Sequence, residues 1–226
     1  DAAEIGKNIE VDIPIVADAK KALTAIYERL VQQLKKRTDS PWMQRVKEAR
    51  QLFNPPENGE PKELKPKPLL QTLRKLLPED TIVTTEVGQN QMWSALYFKA
   101  LKPRTFISSG GLGTMGFGFP ASIGAKTACP DRPVVDIAGD GSFIMTEQEL
   151  ACAVAEGIQV TVIVLNNSML GMVAQWQRLF YDRRYSAVKL GRVPDFTKLA
   201  EAYGAQGSRA ASLEEFTKAV QKAIKS

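Results

Sequence analysis

The sequence contains no histidine. That removes the commonest general base and the commonest metal ligand, so any metal here is held by oxygen. Only two cysteines occur, Cys129 and Cys152, and their number and spacing give neither a disulfide framework nor a thiolate metal site. They read as two reduced thiols. No window approaches the ~18 unbroken apolar residues of a membrane-spanning helix. The opening "DAAEIGKNIEVDIPIV" carries several acids and no long apolar run, so it does not read as a signal peptide. These features lead us to expect a cytoplasmic location. A Walker loop is absent, and "GGLGTMG" lacks the acid after a following strand that a dinucleotide fingerprint requires. No internal repeat is visible. The net charge is +5, yet the basic residues are dispersed. The densest groups, "KKR" (35–37) and "KELKPK" (62–67), lack interleaved aromatics and read as solvated surface, not as a nucleic-acid face.

What is present is a chain of 226 residues, enough for one sizeable core and a small extra piece. Leu23, Ile26, Tyr27, Leu30, Val31 and Leu34 form the stripe of an amphipathic helix over 18–34, with Asp18 placed to cap it. "SPWMQRVKEARQLF" (40–53) predicts a second helix, with Ser40 as cap and Pro41 in the first turn. "NPPENGEPKELKPK" (54–67) is rich in Pro and charge and reads as a linker. Beyond it, helical patterns alternate with short β-branched runs: "TIVTTE", "TFISS", "PVVDIA" and "VTVIVL". That alternation predicts an α/β fold, an open parallel sheet with helices on both faces.

The stretch "GDGSFIMTEQELACAVAEGIQVTVIVLNN" (139–167) joins two of those runs. The pattern predicts a helix from Thr146, with Glu149 completing a capping box, running to Glu156 and ending at Gly157. The segment is then one βαβ unit. If its strands are neighbours, Asp140 and Asn167 leave the same carboxyl edge, where open parallel sheets bind ligands. A carboxylate and an amide oxygen are hard donors suited to magnesium, which usually shares its octahedron with phosphate oxygens and water. Gly139, Gly141 and Ser142 let backbone amides approach an anion. Either motif alone is an ordinary turn or strand exit; both at the spacing of one crossover point to a diphosphate bridged by a divalent ion. "VGQNQ" (87–91) and the glycine-rich "SSGGLGTMGFGFP" (108–120) follow other strands to that edge. Met115, in mid-loop, would by default be a core gap-filler.

"GDG" followed by "NN" resembles the signature of thiamine diphosphate enzymes. "TEVGQNQMW", "SSGGLGTMGFGFPASIGAK", "GDGSFIMTEQEL" and "LNNSMLGMVAQWQRLFY" are together similar to the catalytic large subunits of acetohydroxyacid (acetolactate) synthases, and "GMVAQWQ" narrows the match to them. The similarity covers nearly the whole chain. It implies that residues 1–17 end a middle domain, that 18–67 are a helical segment and linker, and that 68–226 form the thiamine diphosphate domain. Asp140, the Asn167 side chain and the Met169 carbonyl would hold magnesium. Gln89, Asn90, Gly141 and Ser142 would contact the diphosphate. Met115 would bend the cofactor, with the Gly113 carbonyl and Met115 amide on its aminopyrimidine, and Trp176 would line the pocket of the second substrate.

The implied reaction decarboxylates pyruvate and joins the remaining two-carbon unit to pyruvate or 2-oxobutyrate, giving acetolactate or acetohydroxybutyrate for branched-chain amino-acid biosynthesis. The implied partners are a second copy of the chain, in a homodimer or tetramer, and a small regulatory subunit, with no nucleic acid and no membrane. The family commonly has histidine where Asn90 stands. Its activating glutamate belongs to an N-terminal domain, its FAD site mostly to the middle domain, and it continues into one more strand and a C-terminal tail. The chain is therefore expected to be a fragment, inactive alone. Glu86, near the edge, receives no role. The other readings are a related enzyme (pyruvate oxidase, glyoxylate carboligase or 2-oxoacid decarboxylase) and a non-catalytic cofactor-binding or docking module.

Overall fold

The structure, a computed structural model, describes residues 1–35, 39–53 and 64–224. The basic group 35–37 and the linker 54–67 lie partly outside these. The chain divides into two compact units, 1–60 and 61–226.

The first unit contains helices α1 (Ala19–Gln33) and α2 (Pro41–Phe53). Both start where local chemistry places them. The Asp18 carboxylate accepts the Lys21 amide at 3.0 Å, and the Ser40 hydroxyl accepts the Met43 amide at 3.2 Å, each satisfying a donor the first turn leaves orphaned. The α1 stripe is present but solvent-facing: Leu23 is 67% exposed and Tyr27 68%. None of the α1 residues is buried.

The second unit is built on a four-stranded sheet, all parallel, in the order β2-β1-β3-β4. Its strands are β1 (Ile82–Thr85), β2 (Phe106–Ser108), β3 (Val134–Gly139) and β4 (Thr161–Leu165). The alternation of side chains along a strand divides β3 between two cores. Val135 and Ile137 meet Leu69, Leu70 and Leu73 of α3 (Pro66–Leu76) and Phe216 and Val220 of α10 (Leu213–Ala223). On the other face Ala138 packs with Phe119 of α5 (Gly118–Ala128), with Phe143, and with Leu150 and Ala153 of α7 (Leu150–Ala155). Leu70 and Leu73 are wholly buried, and truncating such a leucine to alanine typically costs ~2–5 kcal/mol. The sheet is thus covered on both faces, as the alternating pattern predicts. The second unit also carries α4 (Gln89–Tyr97), α8 (Gly171–Phe180) and α9 (Phe196–Ala202).

One predicted cap is corrected. The helix expected from Thr146 opens with a 3-10 turn (Glu147–Glu149) that runs directly into α7, and a separate helical turn, α6 (Asp140–Phe143), precedes it. Thr146 makes no capping bond. Its hydroxyl donates instead to the Gly116 carbonyl at 3.2 Å, so tertiary contact overrides the local box. The helix still ends where glycine allows: Gly157 has φ 63°, and the Ile158 amide closes back on the Ala153 carbonyl at 2.8 Å, a glycine-terminated helix end. α9, capped by Asp195, has no counterpart in the sequence reading.

Candidate functional site

The carboxyl ends of β1, β3 and β4 open into one cleft of ≈ 150 Å³. From β1 the chain crosses to β2 on one side, then returns through α5 to β3 on the other. The β1/β3 boundary is therefore the topological switch point at which such sheets bind ligands. Gly139 pairs with Leu165, so Asp140 and the Asn166–Asn167 pair leave adjacent strands at the same level. The Ser168 amide donates to Asp140 Oδ2 at 2.5 Å, which brings the two exits into contact. Gln89, Asn90, Gly113, Met115, Asp140, Gly141, Ser142, Asn167 and Met169 all line the cleft. Trp176 does not.

Asp140 is buried. Its Oδ1 accepts the Gly141 amide at 3.0 Å. Burial pushes its carboxyl above the ordinary value, while the amides of Ser168, Gly141 and Asn167 oppose that rise. Asn167 Oδ1 accepts the Met169 amide at 3.0 Å. Ser168 stands in the left-handed region at φ 56°, and the turn is pinned from outside by Leu170 N–H to Val188 O (2.8 Å) and Leu190 N–H to Ser168 O (3.1 Å). The local donors are one carboxylate, one amide oxygen and backbone carbonyls. No group of three or more His, Cys, Asp or Glu forms a metal cluster among the described residues. That set fits a magnesium ion that completes its shell with phosphate and water; it does not fit an all-protein cage.

Several expected contact residues have other partners. Asn90 Nδ2 donates to the carbonyls of Glu86 (2.8 Å) and Ile137 (3.0 Å). Its amide hydrogens hold β1 to β3, and the atom left over, Oδ1, is an acceptor, unsuited to an anion. Gln89 Nε2 donates to Gln175 Oε1 of α8 at 2.8 Å. A Cβ on Gly171 would stand 2.3 Å from Gln89 Oε1, so glycine is what admits Gln89 across the start of α8. The Ser142 hydroxyl donates to Glu86 Oε2 at 2.6 Å. Met115 is half-buried at the cleft wall, not a core gap-filler. Trp176 is 56% exposed and stands edge-on to Phe180, with centroids 6.2 Å apart, so it is not a core aromatic.

Two buried acids have no role assigned from the sequence: Glu86, marked only by its place near the edge, and Asp136. Glu86 accepts three hydrogen bonds at the edge. Asp136, on β3, accepts the Thr84 hydroxyl at 2.8 Å on one oxygen, while its other oxygen has no partner. Burial first, and then the neighbouring Glu86 charge, push the Asp136 carboxyl well above its usual range. The signal available was an acid inside the apolar run "PVVDIA" for Asp136 and an acid closing the β-branched run "TIVTTE" for Glu86.

A family model described as the thiamine pyrophosphate enzyme, C-terminal TPP binding domain, matches residues 86–226. The chain belongs to this family: it is a thiamine pyrophosphate (diphosphate) enzyme domain. Within that class it is similar over almost its whole length to acetolactate synthase large subunits. It is 47% identical to a probable acetolactate synthase large subunit of Methanocaldococcus jannaschii, over 99% of this chain and 39% of that protein. It is 42% identical to the acetolactate synthase isozyme 3 large subunit of Escherichia coli, over 99% of this chain and 40% of that protein. The chain thus spans about two fifths of the length of these relatives.

Proposed function

We propose that the cleft binds magnesium and the diphosphate of thiamine diphosphate, and that the chain is the cofactor-binding part of an acetolactate synthase large subunit. The observation that carries this is the contact between Asp140 and the 166–169 turn, in the same cleft as the Met115 loop. Asp140, Asn167 and the Met169 carbonyl would hold the ion. The backbone at Gly141 and Ser142, with Gln89, would face the diphosphate once Gln89 releases Gln175. Asn90 acts on this reading as a brace for the strand ends. The Gly113 carbonyl and Met115 amide would meet the aminopyrimidine, and the apolar Met115 side chain would set the bend.

Bound thiamine diphosphate supplies the nucleophilic carbon and electron sink for 2-oxoacid decarboxylation. The residues of this chain bind it, orient it and keep its charged end neutralised. The parent enzyme would then convert pyruvate, with a second pyruvate or 2-oxobutyrate, to acetolactate or acetohydroxybutyrate. FAD, the activating acid, a partner copy and a small subunit belong to that larger assembly. The cleft's ≈ 150 Å³ is below the ~300–1,000 Å³ of a self-sufficient ligand pocket, which supports one wall of a shared site and no turnover by these residues alone. Calorimetry tests the reading: the chain should bind thiamine diphosphate with magnesium and lose it on chelation. A folded chain with no magnesium-dependent binding would overturn it, and acetolactate formation by the chain alone would overturn the shared-site part.

A further inference from the structure

Glu86 has no solvent exposure and stands at the carboxyl end of β1. Its Oε2 accepts the Gly116 amide at 2.8 Å and the Ser142 hydroxyl at 2.6 Å. Its Oε1 accepts the Phe119 amide at 2.9 Å. These donors come from three separate segments: the glycine-rich loop, the first turn of α5 and the turn that follows β3. The main chain of Glu86 is also held. Its amide donates to the Ile137 carbonyl at 3.0 Å, and its carbonyl accepts Asn90 Nδ2 at 2.8 Å.

α5 lacks a cap of its own, since Phe117 precedes it with no side-chain capping bond. The Glu86 carboxylate supplies that cap from across the sheet edge, where the positive end of the helix dipole favours an anion. A buried charge is tolerated only when its lone pairs are met by donors, and here both oxygens are. Gly118 makes the approach feasible: a Cβ there would lie 2.6 Å from the Glu86 amide nitrogen.

We propose that Glu86 is the positioning residue of the cofactor site. Its carboxylate locks the loop carrying Met115 to the turn carrying Asp140, and so sets the spacing between the parts of the chain that meet the two ends of the cofactor. Gly116 directly follows Met115, and Ser142 is two residues beyond Asp140. Glu86 acts through these segments and need touch neither cofactor nor substrate. The inference rests on the cofactor reading above.

The test is Glu86→Gln in the 226-residue chain. The amide keeps the size, but its NH₂ must face a fixed backbone donor, either Phe119 N–H or Gly116 N–H; the Ser142 hydroxyl, which already accepts the Gly116 amide at 3.1 Å, can turn to accept it, whereas the backbone donors cannot. Hydrogen exchange at the Gly116 or Phe119 amide should speed up about 10- to 100-fold, the range set by one lost charge-assisted bond. The dissociation constant for thiamine diphosphate with magnesium should rise about 10- to 100-fold, as when an outer-shell partner is removed. Val220→Ala, in the core between α10 and the sheet, is the control: it loses stability and keeps affinity. Wild-type affinity in Glu86→Gln, or an equal affinity loss in the control, overturns the proposal. If Glu86→Gln does not fold, Glu86→Asp, one methylene too short to span all three donors, is read the same way. A wild-type chain that takes up no cofactor defeats the functional reading, whereas unchanged exchange at Gly116 and Phe119 in the variant defeats the clamp itself.

Discussion

Two glycines on one helix should respond to alanine with opposite signs. A Cβ on Gly118 would lie 2.5 Å from Asp136 Oδ1, 2.6 Å from Glu86 N and 2.7 Å from Thr85 C. Two of those atoms are main chain at the carboxyl end of β1, an inner strand of the sheet, and cannot rotate aside. α5 must therefore retreat from β1 by roughly 1 Å to restore ordinary carbon contacts, which stretches the 2.9 Å bond from Phe119 N–H to Glu86. Overpacking costs ~1–3 kcal/mol, and weakening a charge-assisted bond adds up to ~1.5–3 kcal/mol. We expect Gly118→Ala to lose about 2–5 kcal/mol, a fall in Tm of about 4–20 °C at ~2–4 °C per kcal/mol for a chain of this size. Gly124 sits in the interior of the same helix with nothing within 4 Å of its would-be Cβ. Replacing it removes only the entropic cost of glycine, so Gly124→Ala should gain ~0.5–1 kcal/mol. Thermal unfolding followed side by side by circular dichroism measures both. A Gly118→Ala midpoint at the wild-type value, or both variants shifting the same way, refutes the packing argument.

Asp140→Ala should abolish magnesium-dependent cofactor binding in calorimetry, because it removes the one carboxylate of the proposed ion site; unchanged affinity in a folded variant would end the assignment. Asp136 titrates above its ordinary value in the fold, so its contribution to stability is full below the unfolded value of ~3.9 and is lost as pH rises toward the elevated folded one. Asp136→Asn, permanently neutral beside Thr84 and Glu86, should remove that fall, which urea unfolding across the pH range would reveal as a flatter profile; identical profiles would contradict it. In a full-length enzyme carrying this segment, Trp176→Leu should shift the product ratio in a pyruvate/2-oxobutyrate competition by about 10- to 200-fold at most, the worth of one methylene, with decarboxylation intact. A constant ratio would detach Trp176 from specificity.

The parallel sheet was readable because β-branched runs and helical stripes alternate without ambiguity, and because one crossover explains why Asp140 and Asn167 meet. What was not readable depends on partners distant in sequence. Glu86 takes its donors from positions 30, 33 and 56 residues away, and no local pattern announces that. Thr146 matched a capping box, yet its hydroxyl serves a carbonyl 30 residues back. Asn90 looked like a diphosphate contact by position, but its amide hydrogens hold two strand ends together. The α1 stripe was located correctly, but periodicity identifies a face without identifying what lies against it.

The contact between Gln89 and Gln175 gives the cleft two walls of unequal stiffness. On one side the glycine-rich loop is tied to the β3 turn through a buried carboxylate and, from Thr146, through a second bond. On the other, the β1 exit reaches α8 through one neutral amide pair, a bond of the kind worth ~0.5–1.5 kcal/mol net. An anion arriving at Gln89 has only to outbid a single glutamine to free that side chain, whereas parting the opposite wall means uncovering a charge. Entry and exit would therefore be governed from the α8 side, with the other wall serving as the fixed jaw against which the ligand is gauged.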